Sequence, residues 1–175
     1  MINVPEFSFT LVITGIDELS YEVVDALLAA GCDDASFGQR HGTCFGEFDR
    51  EASDALTALE SAARQIQSVY GLSVHHVEPS EYVSLGQIAQ RVGRTRENIR
   101  QLAAGLRGPG GFPVPRGGVL DRTRLWRWSE VVEWWDKAFP GDLDPSVKEM
   151  AYAVERFNLD RLLRARDNKP SVSIT

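Results

Sequence analysis

Cysteine, histidine and long apolar runs are all scarce in this sequence of 175 residues, and each scarcity excludes a class of protein or site. Two cysteines, Cys32 and Cys44, and three scattered histidines fit no zinc-site spacing. We therefore predict two reduced thiols, no metal and no other cofactor. No apolar run approaches the roughly 18 residues of a membrane span, and the first residues lack the basic and apolar regions of a signal peptide. These features predict a cytoplasmic chain with no membrane partner.

Catalytic motifs are also lacking. The sequence contains neither a nucleophile elbow nor a phosphate-binding P-loop. His75 and His76 are neighbours on a predicted strand, so their side chains are expected on opposite faces. Asp33 and Asp34 follow a predicted helix, where turn formation accounts for them. We predict no catalytic residue and no enzymatic activity.

The net charge of −6 is distributed very unevenly. Residues 1–82 hold 3 basic and 14 acidic residues, whereas residues 83–128 hold nine arginines against Glu97 and Asp121. Residues 129–175 are closer to balance, with 7 basic and 9 acidic residues. Electrostatic binding to a polyanion depends on such local clustering more than on the total charge. Because acidic residues are nearly absent from the cluster, we interpret it as a phosphate-facing surface rather than a solvated face.

The first 79 residues alternate strand and helix patterns in the order β-α-β-β-α-β. Apolar residues at every second position predict a half-buried strand over residues 7–14. A helix follows, then a hairpin pattern over residues 35–50, then a helix over residues 52–70 with Tyr70 on its apolar face, then a short strand. This order predicts a ferredoxin-like sandwich of two helices on a four-stranded antiparallel sheet. No iron–sulfur cluster is implied, because such a cluster needs four cysteines.

Two short helices at close spacing follow this domain. Ser84 with Gln87 three residues later forms a capping box, and Thr95 is the cap of a second helix. Gly93 lies between them, where the turn needs a left-handed backbone. The predicted apolar faces are Leu85, Ile88, Ala89 and Val92 in the first helix, then Ile99 and Leu102 in the second. Two helices joined by such a turn predict a helix-turn-helix.

The second of these helices has the side chains of a DNA-recognition helix. Arg96, Asn98, Arg100 and Gln101 are not needed for its apolar face. In a helix-turn-helix, the N-terminal part of the second helix meets base edges in the major groove. Arginine can bind guanine through two hydrogen bonds, and asparagine or glutamine can bind adenine in the same way. The pattern therefore predicts direct reading of base pairs.

A glycine- and proline-rich segment separates the helix pair from the next helix. We predict a two-stranded wing from residues 114–119 and 123–128, with Arg116, Arg122 and Arg124 along it. Ser129 is the predicted cap of the helix that follows. Trp126 and Trp128 are predicted core residues rather than stacking platforms for bases.

Residues 83–135 resemble the winged helix-turn-helix of the MerR and excisionase (AlpA-type) superfamily. The resemblance rests on three pieces in order: the helix pair SLGQIAQRVGRTRENIR, the entry GFPVP and the exit LWRWSEVVEWW. It implies that the second helix meets the major groove and that the wing meets phosphates or the minor groove. The regulators of that family place this domain first, whereas an acidic domain precedes it here, so metal or drug sensing is not carried over.

From the pattern and the resemblance together, we predict ten residues at the DNA interface. They are Ser84, Thr95, Arg96, Asn98, Arg100, Gln101, Arg107, Arg116, Arg122 and Arg124.

The predicted division of the chain has four parts. Residues 1–79 form the acidic ferredoxin-like domain, and residues 80–140 form the DNA-binding domain. Residues 141–167, in which Asp144 and Pro145 predict a helix start, form a C-terminal helix that packs on its own chain or makes a dimer contact. Residues 168–175 are predicted to be a flexible tail.

These patterns predict a protein that binds double-stranded DNA in a sequence-specific manner. We expect a bacterial or phage transcriptional regulator, a repressor or autoregulator, that acts as a homodimer. The alternative is an excisionase-like accessory DNA-binding protein, or an antitoxin-like protein whose N-terminal domain binds a protein partner. For the acidic domain three roles stay open: assembly or partner binding, sensing of a small ligand, and moderation of the DNA affinity.

Overall fold

The computed structural model describes residues 4–167, and within them the chain is a mixed α+β protein. The predicted tail, residues 168–175, lies outside the described residues. The strands are β1 (Glu6–Thr14), β2 (Ala35–Arg40), β3 (Thr43–Glu51), β4 (Ser73–Glu78), β5 (Tyr82–Val83) and β6 (Trp126–Arg127). The helices are α1 (Tyr21–Ala29), α2 (Ala55–Ser68), α3 (Leu85–Arg91), α4 (Arg96–Ala103), α5 (Trp128–Ala138) and α6 (Pro145–Asp167).

The chain divides into two compact units. One, the N-terminal unit, contains the described residues up to Glu78 together with residues 153–167. The other, the central unit, is Pro79–Tyr152. Helix α6 therefore contributes its first turns to the central unit and its remainder to the N-terminal unit. None of the helices over residues 4–167 is long and apolar enough to cross a membrane.

The N-terminal unit is built on a four-stranded antiparallel sheet in the order β2-β3-β1-β4. The alternation predicted for the first strand is confirmed, because Phe7, Phe9, Leu11 and Ile13 are buried. Phe9 lies opposite Phe48 on β3, and their rings stack with centroids 5.4 Å apart. Helix α2 buries its alanine-rich face with Leu59 and Ile66 and lies against β1 and β4.

The second helix is shorter than its sequence pattern predicts. It begins at Ala55 because the Asp54 carboxylate accepts the Thr57 N–H at 2.7 Å, and it ends at Ser68. Tyr70 therefore lies beyond the helix and is fully exposed, so its predicted place on the apolar face is wrong.

The two neighbouring histidines do not point to opposite faces of β4, contrary to the prediction. The pairing of β1 with β4 is irregular after Val12, where the register passes from His76 to Val74 and leaves His75 unpaired. Such a bulge breaks the two-residue alternation of a strand. As a result the His75 and His76 rings touch, with their Nδ1 atoms 2.8 Å apart.

The central unit has an aromatic core that supports the helix pair. Trp126 and Trp135 are among its largest fully buried side chains, together with Ile88, Ile99 and Val131. Strand β6 pairs with β5, so the segment after the loop is tied to the segment that precedes α3. The prediction that Trp126 and Trp128 belong to the core is confirmed.

Tryptophan side chains also fix the glycine- and proline-rich segment. The indole N–H of Trp126 donates to the Pro113 carbonyl, and that of Trp134 donates to the Gly110 carbonyl, both at 2.9 Å. The Phe112 ring lies edge-on to Trp134, with centroids 4.8 Å apart. The segment is therefore ordered without a helix or strand of its own.

The two-stranded wing predicted for residues 114–119 and 123–128 does not form. Residues 114–119 form no strand, and the return strand is reduced to β6, whose partner is β5. Pro113 and Pro115 lack the N–H that a strand ladder needs. What remains is a narrow loop closed by one β-bridge between Gly117 and Leu125. In this bridge the Leu125 N–H donates to the Gly117 carbonyl at 2.9 Å.

The start of α5 also differs from its prediction. The helix begins at Trp128 after Arg127, with no side-chain cap, and the Ser129 side chain is buried inside its first turn. The Trp128 N–H donates instead to the Glu81 carbonyl at 2.7 Å, so strand pairing fixes this helix start. By contrast, the predicted start of α6 is confirmed, because the Asp144 carboxylate accepts the Ser146 N–H at 2.8 Å.

Candidate nucleic-acid interface

Helix α4 is held at its start and along one face. Thr95 accepts the Asn98 N–H at 3.2 Å, which caps the helix as predicted. The turn before it, residues 92–95, contains Gly93 with φ of +65°, where a side chain would be strained. Ile99 and Leu102 are buried against the central core. The opposite face of α4 is thereby presented to solvent in a defined orientation.

The cap of α3 has the predicted capping box. The Ser84 hydroxyl accepts the Gln87 N–H at 3.4 Å, and the Gln87 side chain accepts the Ser84 N–H at 2.8 Å. The predicted site residues Ser84 and Thr95 therefore both act as helix caps, and each hydroxyl keeps its hydrogen available as a donor to a phosphate.

Three arginines of the cluster have acidic partners from outside residues 83–128, which the sequence pattern does not predict. Arg94 binds Asp142 at 3.0 Å, Arg116 binds Glu130 at 3.0 Å, and Arg127 lies 3.1 Å from Glu81. Arg91 donates to the Ser80 carbonyl and lies over the Trp128 ring. The central unit as a whole holds 11 basic and 9 acidic residues, so its net charge is only +2. Part of the cluster is therefore structural.

The arginines that keep a free guanidinium are fewer. Arg96, Arg107 and Arg122 are exposed and have no ion pair with any described residue. Arg124 is exposed and lies over the Trp126 ring, 5.6 Å from its centroid. These four residues sit at the start of α4, just after α4 and on the loop before β6. They form the part of the cluster that is available to an anionic ligand.

The turn before α4 is anchored by a chain of polar contacts. The Trp135 indole N–H donates to Asp142 at 2.8 Å, and Arg94 donates to both oxygens of the same carboxylate. The indole hydrogen bond, followed by the Arg94 charge, holds the pKa of Asp142 below its ordinary value. Because Arg94 immediately precedes the Thr95 cap, these hydrogen bonds connect the start of α4 to the buried core.

On the exposed face of α4, three polar side chains form a single cluster. Arg100 donates through Nε and Nη2 to the two oxygens of Glu97, at 2.7 and 2.6 Å. Gln101 donates to Glu97 at 3.0 Å. These hydrogen bonds, from Arg100 above all, lower the pKa of Glu97 to about 2, so the carboxylate is charged at any neutral pH.

This arrangement leaves part of Arg100 free. A guanidinium has five N–H donors, and Glu97 accepts two of them. The remaining donors include both hydrogens of Nη1 and one of Nη2, which form an edge able to bind two acceptors. Glu97 therefore acts as a brace: it orients the Arg100 guanidinium and leaves three of its N–H donors free for a ligand. The sequence signal for this contact is the spacing of three residues between Glu97 and Arg100, because side chains three apart on a helix are neighbours.

Replacing Glu97 with glutamine tests this brace. For a helix that reads DNA, we expect tighter binding to duplexes of arbitrary sequence, because Glu97→Gln removes a negative charge beside the ligand. We also expect a lower ratio of specific to nonspecific affinity, because glutamine offers one acceptor oxygen in place of the two that orient Arg100. The measurement is fluorescence anisotropy with a selected and a scrambled duplex. Glu133→Gln is the matched control, since Glu133 is an exposed carboxylate that pairs with Lys137 on α5. An unchanged ratio in Glu97→Gln would contradict the bracing role.

The N-terminal unit contains a second polar feature, a cleft of about 470 Å³ lined by Glu6, Asp49, Arg50, Glu51 and neighbours. Arg50 is only 6% exposed, and its guanidinium is occupied by Asp34 at 2.6 and 2.7 Å and by Ser61 at 3.1 Å. Asp34 is thus the partner of a buried charge, beyond the turn role that its position predicted. The cleft edge that remains is acidic.

The remaining candidates for reactive chemistry are the two cysteines and the side chains that could hold a metal ion. Cys32 and Cys44 are buried free thiols, and burial raises the pKa of Cys32 to about 11. Over the part of the chain that the structure describes, no group of three histidine, cysteine or acidic side chains is placed to hold a metal ion.

Comparison with protein-family models, with curated proteins and with solved structures finds no match for this chain. The residues of the chain itself therefore carry any proposal about its function.

Proposed function

We propose that the central unit binds duplex DNA in a sequence-specific manner, with α3 and α4 as a helix-turn-helix and the loop closed by Gly117 and Leu125 in the place of a wing. The observation that carries the proposal is the exposed face of α4. It presents a free Arg96 and a braced Arg100 from a helix whose start is capped and anchored. Arginines so positioned suit guanine edges in the major groove.

The proposal extends to a transcriptional regulator that acts as a homodimer. Helix α4 has eight residues, and one helix of that length specifies few base pairs. Two-fold pairing would double the length of DNA that is read, with half-sites one helical turn apart.

For the N-terminal unit we propose a ferredoxin-like domain, supported by the element order β-α-β-β-α-β and the strand order β2-β3-β1-β4. Its role in partner or ligand binding is part of the same proposal.

The salt dependence of binding tests the phosphate contacts. Arg122→Ala is expected to weaken binding to all duplexes and to reduce the slope of log K against log salt concentration by about 0.9, since one phosphate contact is lost. The matched control is Arg64→Ala, which removes an exposed arginine from α2 in the N-terminal unit. Equal slopes for Arg122→Ala and the unmodified chain would count against a phosphate contact on the loop.

A further inference from the structure

The loop before β6 carries two apolar side chains at its tip, which the proposed phosphate contacts leave unexplained. Leu120 is 100% exposed and Val119 is 62% exposed. Residues at the tips of tight loops are ordinarily glycine, proline, asparagine, aspartate or serine, because these satisfy the turn and remain in water. Here two adjacent apolar residues occupy the tip instead.

The tip is held in shape by its own backbone. The Arg116 and Gly117 N–H groups donate to the Leu125 carbonyl at 2.7 and 3.2 Å, and the Asp121 N–H donates to Gly118 at 3.1 Å. Gly118 has φ of +66°, and a Cβ atom there would lie 2.0 Å from the Thr123 carbonyl oxygen. Only glycine fits this position, so the turn that projects Leu120 is built into the sequence.

The charges around the tip indicate an anionic occupant. Arg122 and Arg124 follow Leu120 closely, Arg116 lies at the base of the loop, and Asp121 is the one acidic residue among residues 113–125. Arg116 is partly neutralised by Glu130, whereas Arg122 has no ion pair with a described residue. An apolar tip flanked by cations suits a groove that has phosphates at its edges and stacked bases between them.

We propose that Leu120, supported by Val119, is an apolar wedge that enters the minor groove and partly unstacks a base step, so that the bound duplex is bent. The inference rests on the proposed DNA binding and adds an activity to it. Apolar wedges that kink a duplex recur among minor-groove proteins, where flanking arginines hold the backbone. Pyrimidine–purine steps are the expected target, because they unstack most easily.

Ligase-catalysed circularisation of a duplex tests the wedge. A fragment of about 100 bp is shorter than the DNA persistence length of about 150 bp, so it closes into circles rarely unless a protein bends it. We expect the full chain to raise the circle yield on the order of tenfold. Leu120→Ser should abolish most of this increase while binding the same fragment within about twofold, measured by anisotropy, since the phosphate contacts dominate affinity.

Leu106→Ser is the matched control, because Leu106 is another exposed leucine of the central unit, 72% accessible. It should leave both binding and circularisation unchanged. If the chain binds the fragment but does not raise the circle yield, or if Leu120→Ser raises it equally, the wedge is excluded and DNA binding stands. If the folded chain does not bind the fragment even at low salt, both the wedge and the proposed function are excluded.

Discussion

Replacing Arg96 and Arg100 together with alanine is expected to abolish sequence-specific duplex binding by this chain. Each arginine that makes a base contact contributes about 1–3 kcal/mol, so the pair accounts for a loss on the order of a hundredfold or more. Both side chains are exposed on α4, and neither contributes to the buried face formed by Ile99 and Leu102. The stability of the central unit should therefore change little, and the loss should appear only in binding.

The test compares affinities for a selected duplex and a scrambled one at a fixed salt concentration. In the double variant the two affinities should become nearly equal, because the phosphate contacts that we propose for Arg107, Arg122 and Arg124 do not depend on sequence. A control with the same loss of charge is Arg156→Ala/Arg164→Ala on α6, which should keep the specificity. A double variant at Arg96 and Arg100 that still prefers the selected duplex would show that α4 does not read the bases.

Trp135→Ala is expected to have the largest effect on stability. Trp135 is fully buried, its ring lies 4.9 Å from that of Phe139, and its indole N–H holds Asp142. Removing a buried tryptophan costs about 3–5 kcal/mol, a large part of the 5–15 kcal/mol that stabilises a typical domain. Because Asp142 also holds Arg94, the start of α4 should loosen and DNA binding should fall with stability.

Denaturant unfolding followed by tryptophan fluorescence measures this effect in one unit alone. All four tryptophans lie in the central unit, and three of them remain in the variant. Trp135→Phe is the informative companion, since it keeps most of the ring and loses the hydrogen bond to Asp142, for an expected cost of about 1–3 kcal/mol. A Trp135→Ala variant whose unfolding free energy stays within about 1 kcal/mol of the original would contradict the central role of this side chain.

Local sequence patterns predicted the parts of the fold that depend on neighbours along the chain. The Ser84 capping box, the Thr95 cap, the Gly93 turn and the alternation in β1 all involve residues a few positions apart, and all are confirmed. The same reasoning found α4 and the residues on its exposed face.

Features that depend on distant residues were not predictable in this way. Arg94 pairs with Asp142, 48 positions away in the sequence, and Arg116 pairs with Glu130, 14 positions away. The sequence alone therefore cannot divide the arginine cluster into ion-paired and free members. The bulge that turns His75 toward His76 depends on the pairing with β1. The predicted strands of the wing do not form, because Pro113 and Pro115 lack the N–H groups that a strand ladder needs.

Selection of bound duplexes from a random library at physiological salt, read by sequencing, tests the DNA-binding proposal most directly. We predict enrichment of a palindrome whose half-sites are about one helical turn apart, as expected for a dimer that presents two α4 helices. A single or directly repeated half-site would instead favour an accessory protein that loads cooperatively. If no common sequence is recovered, sequence-specific binding is contradicted. The fluorescence of the four tryptophans serves as the control that the central unit is folded.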